Sequence, residues 1–152
     1  MDKKNIKLIK IFVSNKKFSD NFSGNLVIFC SDERFIKATL EFLHRCLRVK
    51  NYDLMAVPGG PVFIINKEKC LVDRLKLLVD KHNISNIIIF SHSDCGYYKQ
   101  CHKDLNSNLL SKRQIEDIRK IKLQLEKLFP DVMVKSFYVI VNKRKFLFQF
   151  IN

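Results

Sequence analysis

Apolar and polar positions along this chain fall into blocks whose period switches repeatedly between strand-like and helix-like. Leu26–Cys30 is a continuous apolar run closed by polar residues, the pattern of a strand covered on both faces. Ile36, Leu40, Leu43 and Leu47 then recur at spacings of four, three and four, which predicts an amphipathic helix. A short strand follows at about Asp53–Val57, closed by Pro58-Gly59-Gly60-Pro61, and Leu71, Leu75 and Leu78 mark one face of a second helix. Asn86–Ser91 carries Ile87-Ile88-Ile89-Phe90, a third fully buried strand, and runs straight into His92-Ser93-Asp94-Cys95-Gly96. Ile115, Ile118, Ile121, Leu125 and Leu128 define a long helix that Pro130 ends. Val132–Val141 and Lys145–Ile151, joined at Asn142–Arg144, predict a final β-hairpin.

This alternation predicts an α/β fold of three layers: a mainly parallel central sheet flanked by helices, with a C-terminal hairpin or antiparallel edge strand. The length suits a single domain over 1–152, with an N-terminal segment at 1–22 and the core from about residue 23. No internal repeat or low-complexity linker interrupts it. In such sheets ligands sit beyond the carboxyl ends of the strands. Cys30–Arg34, Pro58–Pro61 and His92–Gly96 all fall at those ends, so they can converge although distant in sequence.

Composition narrows the setting. Hydrophobic residues make up 47% of the chain, yet no apolar run approaches the ~18 residues of a membrane span. The Met1-Asp2-Lys3-Lys4 start and the short Leu8–Val13 stretch lack the apolar centre of a signal peptide, so the expected compartment is the cytoplasm. Five cysteines, at 30, 46, 70, 95 and 101, are an odd number and suit thiol or metal chemistry better than a disulfide framework. The formal charge of +13 raises the question of an anionic partner. Its lysines are scattered, however, and no aromatic-basic ribonucleoprotein motif or metal finger accompanies them, so nucleic acid is not an expected partner.

The candidate chemistry lies in the two polar clusters. Cys30, His92 and Cys95 offer two thiolates and an imidazole, ligands that Zn²⁺ prefers in a tetrahedral site with a fourth position left over. Alone, one His-x-x-Cys spacing is a weak signal. Asp32 and Arg34 follow Cys30 at intervals of two, so an extended backbone would turn all three to one side. An Arg-paired carboxylate stays ionised and fixed in orientation. Asp32 is thus either an acceptor for metal-bound water or, freed from Arg34, the fourth ligand; as the bland alternative, it only caps the next helix. Two thiolates neutralise much of a zinc ion's charge, so its water would be acidified less than at a three-histidine site and would gain from such an acceptor.

Other residues invite simpler readings. Asp94 reads as an N-cap for the turn after His92. Gly59 and Gly60 either make a turn or let the backbone approach the metal pocket closely. Cys101 and His102 form an alternative ligand pair with Cys95, Cys46 and Cys70 are packing or exposed thiols, and Tyr97 and Tyr98 are candidates to line the pocket.

The pair of segments Cys-Ser-Asp-Glu-Arg at 30–34 and His-Ser-Asp-Cys-Gly at 92–96 resembles the β-class carbonic anhydrases, whose pattern is Cys-x-Asp-x-Arg followed by His-x-x-Cys-Gly. The resemblance is good over about residues 25–100 and looser beyond. It implies zinc on Cys30, His92 and Cys95, an Asp32–Arg34 catalytic dyad, and reversible hydration of carbon dioxide to bicarbonate by zinc-bound hydroxide. It also implies a homodimer or higher homo-oligomer. Where well-studied members carry Arg-Asn-Ala-Gly, this chain has Ala56-Val57-Pro58-Gly59-Gly60, which marks it as similar to a small, divergent subgroup, with Gly59 and Gly60 at the substrate pocket. With only about two dozen residues before the first core strand, the family's long N-terminal helical arm is not expected here. These departures keep two alternatives in view: a zinc-binding protein of the same fold with little or no turnover, and a hydrolase of carbonyl sulfide or carbon disulfide.

Overall fold

The structure, a computed structural model, describes residues 11–152, so the start at Met1–Lys4 and the first half of the Leu8–Val13 stretch lie outside the described residues. Five strands form one sheet in the order β2-β1-β3-β4-β5: β1 Asn25–Cys30, β2 Asp53–Val57, β3 Asn86–His92, β4 Met133–Asn142 and β5 Lys145–Ile151. The first four run parallel, with Val27 opposite Leu54 and Ile88, and Ile88 opposite Lys135; β5 returns antiparallel along the edge. Helices α1 Glu33–Arg45, α2 Lys69–Lys81, α3 Gly96–Cys101 and α4 Ser107–Leu128 connect them, with a short 3₁₀ helix at Gly60–Ile64.

Strand alternation explains the three layers. Leu26 and Ile28 of β1 and Ile87 and Ile89 of β3 face one side, where they pack with Leu75 of α2 and Ile118, Ile121 and Leu125 of α4. Val27, Phe29, Ile88 and Phe90 face the other, against Phe35 and Leu43 of α1. A strand with helices on both faces has no polar side to offer, which is why β1 and β3 read as unbroken apolar runs. Truncating a side chain such as Ile89, wholly enclosed, to Ala would cost about 2–5 kcal/mol.

Two local details differ from the periodicity. Helix α1 ends at Arg45, and Leu47 joins its packing face from the turn beyond, where Arg48 takes a left-handed φ of 60°. The β4–β5 hairpin turns through Lys143 and Arg144, both left-handed at φ 47° and 64°. Positive φ at both central residues is the type I′ form of a two-residue hairpin turn, which matches the sheet's twist, and this turn makes it without glycine.

Strand order fixes where a ligand can sit. From β1 the chain steps to β2 on one side, and β3 then pairs with β1 on the other. Beyond the carboxyl ends of β1 and β3 the connecting segments therefore diverge and leave a crevice. Cys30 ends β1 and His92 ends β3.

Candidate metal centre

Three elements bring three metal-binding side chains to that crevice. Cys30 is the last residue of β1, His92 the last of β3, and Cys95 the N-cap of α3, reached through the turn that starts at Ser93. One ligand atom from each lies within 4.8 Å of the others, and the two sulfurs are 3.9 Å apart. All three residues are enclosed, at 7%, 4% and 2% exposure. The His92 ring lies on Phe35, centroids 3.9 Å apart, and its Nδ1 is 2.7 Å from the Ser93 carbonyl. A carbonyl only accepts, so Nδ1 carries the proton and donates it there, leaving the Nε2 lone pair free. Nε2 is buried without a hydrogen-bond partner. A buried ring nitrogen without a partner, in a residue whose ligand atom lies close to two sulfurs, is costly unless something binds it, and the S₂N donor set fits Zn²⁺.

The two thiols interact strongly. The hydrogen bond with Cys95 is the main cause that draws the Cys30 pKa down to about 4, against the opposing effect of burial, and the His92 side chain, then the backbone N–H groups of Asp32 and Gly59, lower it further. The same contact, then burial, pushes Cys95 up. The pair thus holds one proton between its sulfurs, because two bare thiolates 3.9 Å apart would repel in an enclosed site. A divalent cation held by these side chains would remove that penalty and take the place of the proton.

Beside the trio runs a chain of charges, with the Asp32 side chain mostly enclosed at 16% exposure and Arg34 and Asp94 about half exposed. Asp32 accepts the Arg34 backbone N–H as N-cap of α1, and its carboxylate also accepts from Arg34 Nε at 2.9 Å and Nη2 at 2.6 Å. Capping and ion pairing therefore occur together. The extended backbone expected through this stretch ends before Arg34, which reaches back to Asp32 from the first turn of α1. The Arg34 contact holds the Asp32 carboxyl below the usual carboxylate range, and the two carboxylates, Asp32 foremost, raise Arg34.

Asp94 is not the N-cap expected of it. Cys95 takes that position, while Asp94 adopts a left-handed φ of 60° and its carboxylate bridges Lys99 and Arg34, with Arg34 Nη1 at 3.0 Å. Arg34 Nη2 also donates to the Asp94 carbonyl at 3.3 Å. Lys99 first, then Arg34, lowers the Asp94 carboxyl. Pattern reading missed this contact because Arg34 and Asp94 are sixty positions apart; the available hint was a carboxylate lodged between His92 and Cys95.

The glycine pair makes a turn and a close approach at once. At Gly60, φ is 60° and a Cβ would stand 3.1 Å from both the Cys30 nitrogen and the Phe90 carbonyl oxygen. At Gly59, φ is 80° and a Cβ would meet the Tyr97 ring at 2.7 Å. Tyr97 therefore packs on Gly59, and Tyr98 is buried with Val62 and Leu110 against Cys30 and Cys95. Cys46, Cys70 and Cys101 are exposed. Among the described residues, the potential metal-holding group comprises Cys30, His92 and Cys95, without Cys101 or His102.

The sheet is doubly covered and mostly parallel, and the Cys-His-Cys cluster lies at its switch point. Residues 19–147 match the family described as "Putative carbonic anhydrase", and the chain belongs to that family. It is 26% identical over 140 residues to an uncharacterized protein of Rickettsia bellii, covering 86% of this chain and 85% of that one. It is 32% identical over 101 residues to an uncharacterized protein of Rickettsia conorii, covering 62% of this chain and 54% of the relative. In fold it is similar to a carbonic anhydrase from Streptococcus mutans, with TM-score 0.57, 15% identity and coverage of 87% and 83%. A β-carbonic anhydrase from Trichomonas vaginalis matches with TM-score 0.55, 14% identity and coverage of 89% and 87%. No helix among the described residues is long and apolar enough to cross a membrane.

Proposed function

We propose that this protein catalyses the reversible hydration of carbon dioxide to bicarbonate and a proton, with zinc held by Cys30, His92 and Cys95 and with Asp32 and Arg34 as the catalytic dyad. The observation that carries the reading is the adjacency of a buried S₂N donor set to an Arg-held carboxylate at the end of the same strand. Zinc bound there supplies a Lewis acid that lowers the pKa of water toward ~7.

The rest of the work falls to the chain's own side chains. Asp32 accepts a hydrogen bond from the attacking water and sets its orientation. Because Arg34 holds the Asp32 carboxyl below its ordinary range, Asp32 stays ionised at neutral pH and is a poor store for a proton. Its task is orientation, and the proton passes on to solvent buffer. Arg34 keeps the carboxylate on its guanidinium and away from the metal position. Val62, Leu110 and Tyr98 give the ligand cluster an apolar wall, suited to carbon dioxide, which is apolar and a weak hydrogen-bond acceptor. Gly59 and Gly60 belong to the substrate pocket in this reading: a Cβ at Gly60 would press on the Cys30 peptide, and one at Gly59 would meet Tyr97 and Val62.

Free thiols at the centre suit a reducing compartment, and we place the protein in the cytoplasm. We also propose a homo-oligomer, since Phe146, Leu147 and Phe150 of edge strand β5 are exposed. Stopped-flow hydration with zinc-loaded protein tests the activity. Acceleration over buffer at neutral or alkaline pH is expected, and a rate equal to buffer at both would exclude the enzyme. Sulfide release from carbonyl sulfide without hydration would move the site to that sister reaction, which needs the same water and the same wall.

A further inference from the structure

Helix α4 contributes no metal ligand, yet it buries polar side chains behind the centre. Gln114 and Asp117, one turn apart on the same face, are 1% and 2% exposed. Each grips the segment of one ligand. Gln114 Nε2 donates to the backbone carbonyl of His92 at 2.7 Å, and its Oε1 accepts the Tyr138 hydroxyl of β4 at 2.8 Å, so both ends of the amide are engaged. Asp117 Oδ2 accepts the Tyr98 hydroxyl at 3.3 Å and Arg113 Nε at 3.0 Å. Tyr98 in turn is one of two residues whose backbone N–H faces the Cys95 sulfur. One helix face thus reaches His92 through its own peptide and Cys95 through the first turn of α3.

The choice of residues is informative. Apolar side chains would fill these positions at lower cost, since Asp117 leaves Oδ1 buried without a partner and buried carboxylates are rarely net stabilising. Bulk packing of α4 is already supplied by Ile118, Ile121 and Leu125. What hydrogen bonds add over apolar contact is direction: they fix a peptide or ring to within a few tenths of an ångström, the tolerance a tetrahedral site needs.

We propose that Gln114 and Asp117 are positioning residues that preset His92 and Cys95 for the metal, so that zinc affinity depends on them beyond their share of stability. The proposal rests on the metal reading above and concerns residues that never touch the ion. Outer partners of metal ligands commonly change affinity by about 10–100-fold.

The test compares zinc affinity, by competition with a chromophoric chelator, and the thiolate-to-cobalt charge-transfer spectrum of the Co²⁺ form across four variants. Gln114→Met, close in size, is expected to weaken zinc by about tenfold and to shift or broaden the cobalt bands. Tyr98→Phe, which cuts the link to Asp117, and Tyr138→Phe, which frees one end of the Gln114 amide, are expected to have smaller effects of the same sign. Ile121→Val, a trim on α4 at a core position, is expected to lower thermal stability and leave both metal readouts unchanged. Wild-type affinity and an unchanged cobalt spectrum in Gln114→Met and Tyr98→Phe would overturn the proposal while leaving the metal centre standing. If Gln114→Met fails to fold, Tyr98→Phe and Tyr138→Phe decide it alone by the same criterion. A wild-type chain that binds neither ion would overturn the metal reading and this one together.

Discussion

The two halves of the centre are built differently. Cys30, His92 and Cys95 are enclosed by the core and tied to rigid strand ends and a helix start, whereas Arg34 and Asp94 are exposed over about half of their side chains, at 56% and 50%. In the enclosed half, dielectric screening is weak, so the second sulfur ionises only when a cation arrives. In the exposed half, water screens each pair and no single contact contributes much. On the zinc reading proposed above, the enclosed half would decide whether an ion binds, and the exposed half would adjust what happens next to it.

The largest effect should come from the enclosed half. Cys95→Ser is expected to abolish stoichiometric zinc, measured by elemental analysis after dialysis, because a hydroxyl is not ionised near neutral pH and its oxygen is a harder ligand. Asp32→Asn, at the border of the two halves, should retain zinc and lose about a hundredfold in hydration rate as the water is misoriented. If that variant lost the metal as Cys95→Ser does, Asp32 would be a permanent ligand and the dyad assignment would be wrong.

Gly60→Ala tests whether the enclosed half depends on its tight backbone. The left-handed φ alone costs a non-glycine residue about 1–2 kcal/mol, and the new methyl would press on the Cys30 peptide. Urea denaturation should show a loss of about 2 kcal/mol or more, together with weakened zinc binding. Unchanged stability would mean that the turn is looser than the contacts imply.

The smallest effects belong to the exposed charges. Asp94→Asn should change hydration only a few-fold and stability by about 0.5 kcal/mol or less, fading in high salt; loss of activity equal to that of Asp32→Asn would make Asp94 a member of the catalytic machinery. The pH response of Asp32 follows from its lowered pKa. A carboxyl depressed in the folded state stabilises the protein above its unfolded value of about 3.9, and that contribution disappears as pH falls through the lower folded value. The stability gap between wild type and Asp32→Asn should therefore be constant above about pH 5 and close in acid. A gap that opens on acidification would reverse the assignment.

Much of the fold and of the centre is legible in the amino-acid sequence. Continuous apolar runs such as Leu26–Cys30 announce doubly covered strands because a parallel sheet buries both faces, and the hairpin around Lys143 and Arg144 follows from two apolar runs with a polar break. The paired Cys and His-x-x-Cys segments point to one centre because both lie at carboxyl ends of strands. Where pattern misleads, a distant contact competes with a local rule. Asp94 looks like a cap because short polar residues after a strand commonly are; Arg34 and Lys99 claim its carboxylate instead. Gln114 looks like one more polar residue on an amphipathic helix, and only its enclosure behind His92 sets it apart.

Local pattern by itself determined the order and kind of the main elements, the apolar faces and the residues able to bind a metal, since these depend on side-chain chemistry and on periods of 2.0 and 3.6. Only the tertiary structure decided that β1 and β3 are neighbours, that the Cys30 and Cys95 sulfurs share one small space with a bare imidazole nitrogen, and that α4 braces the peptide beneath it. Those outcomes depend on strand pairing and helix packing between segments dozens of residues apart, and such contacts leave no period in the sequence to be read.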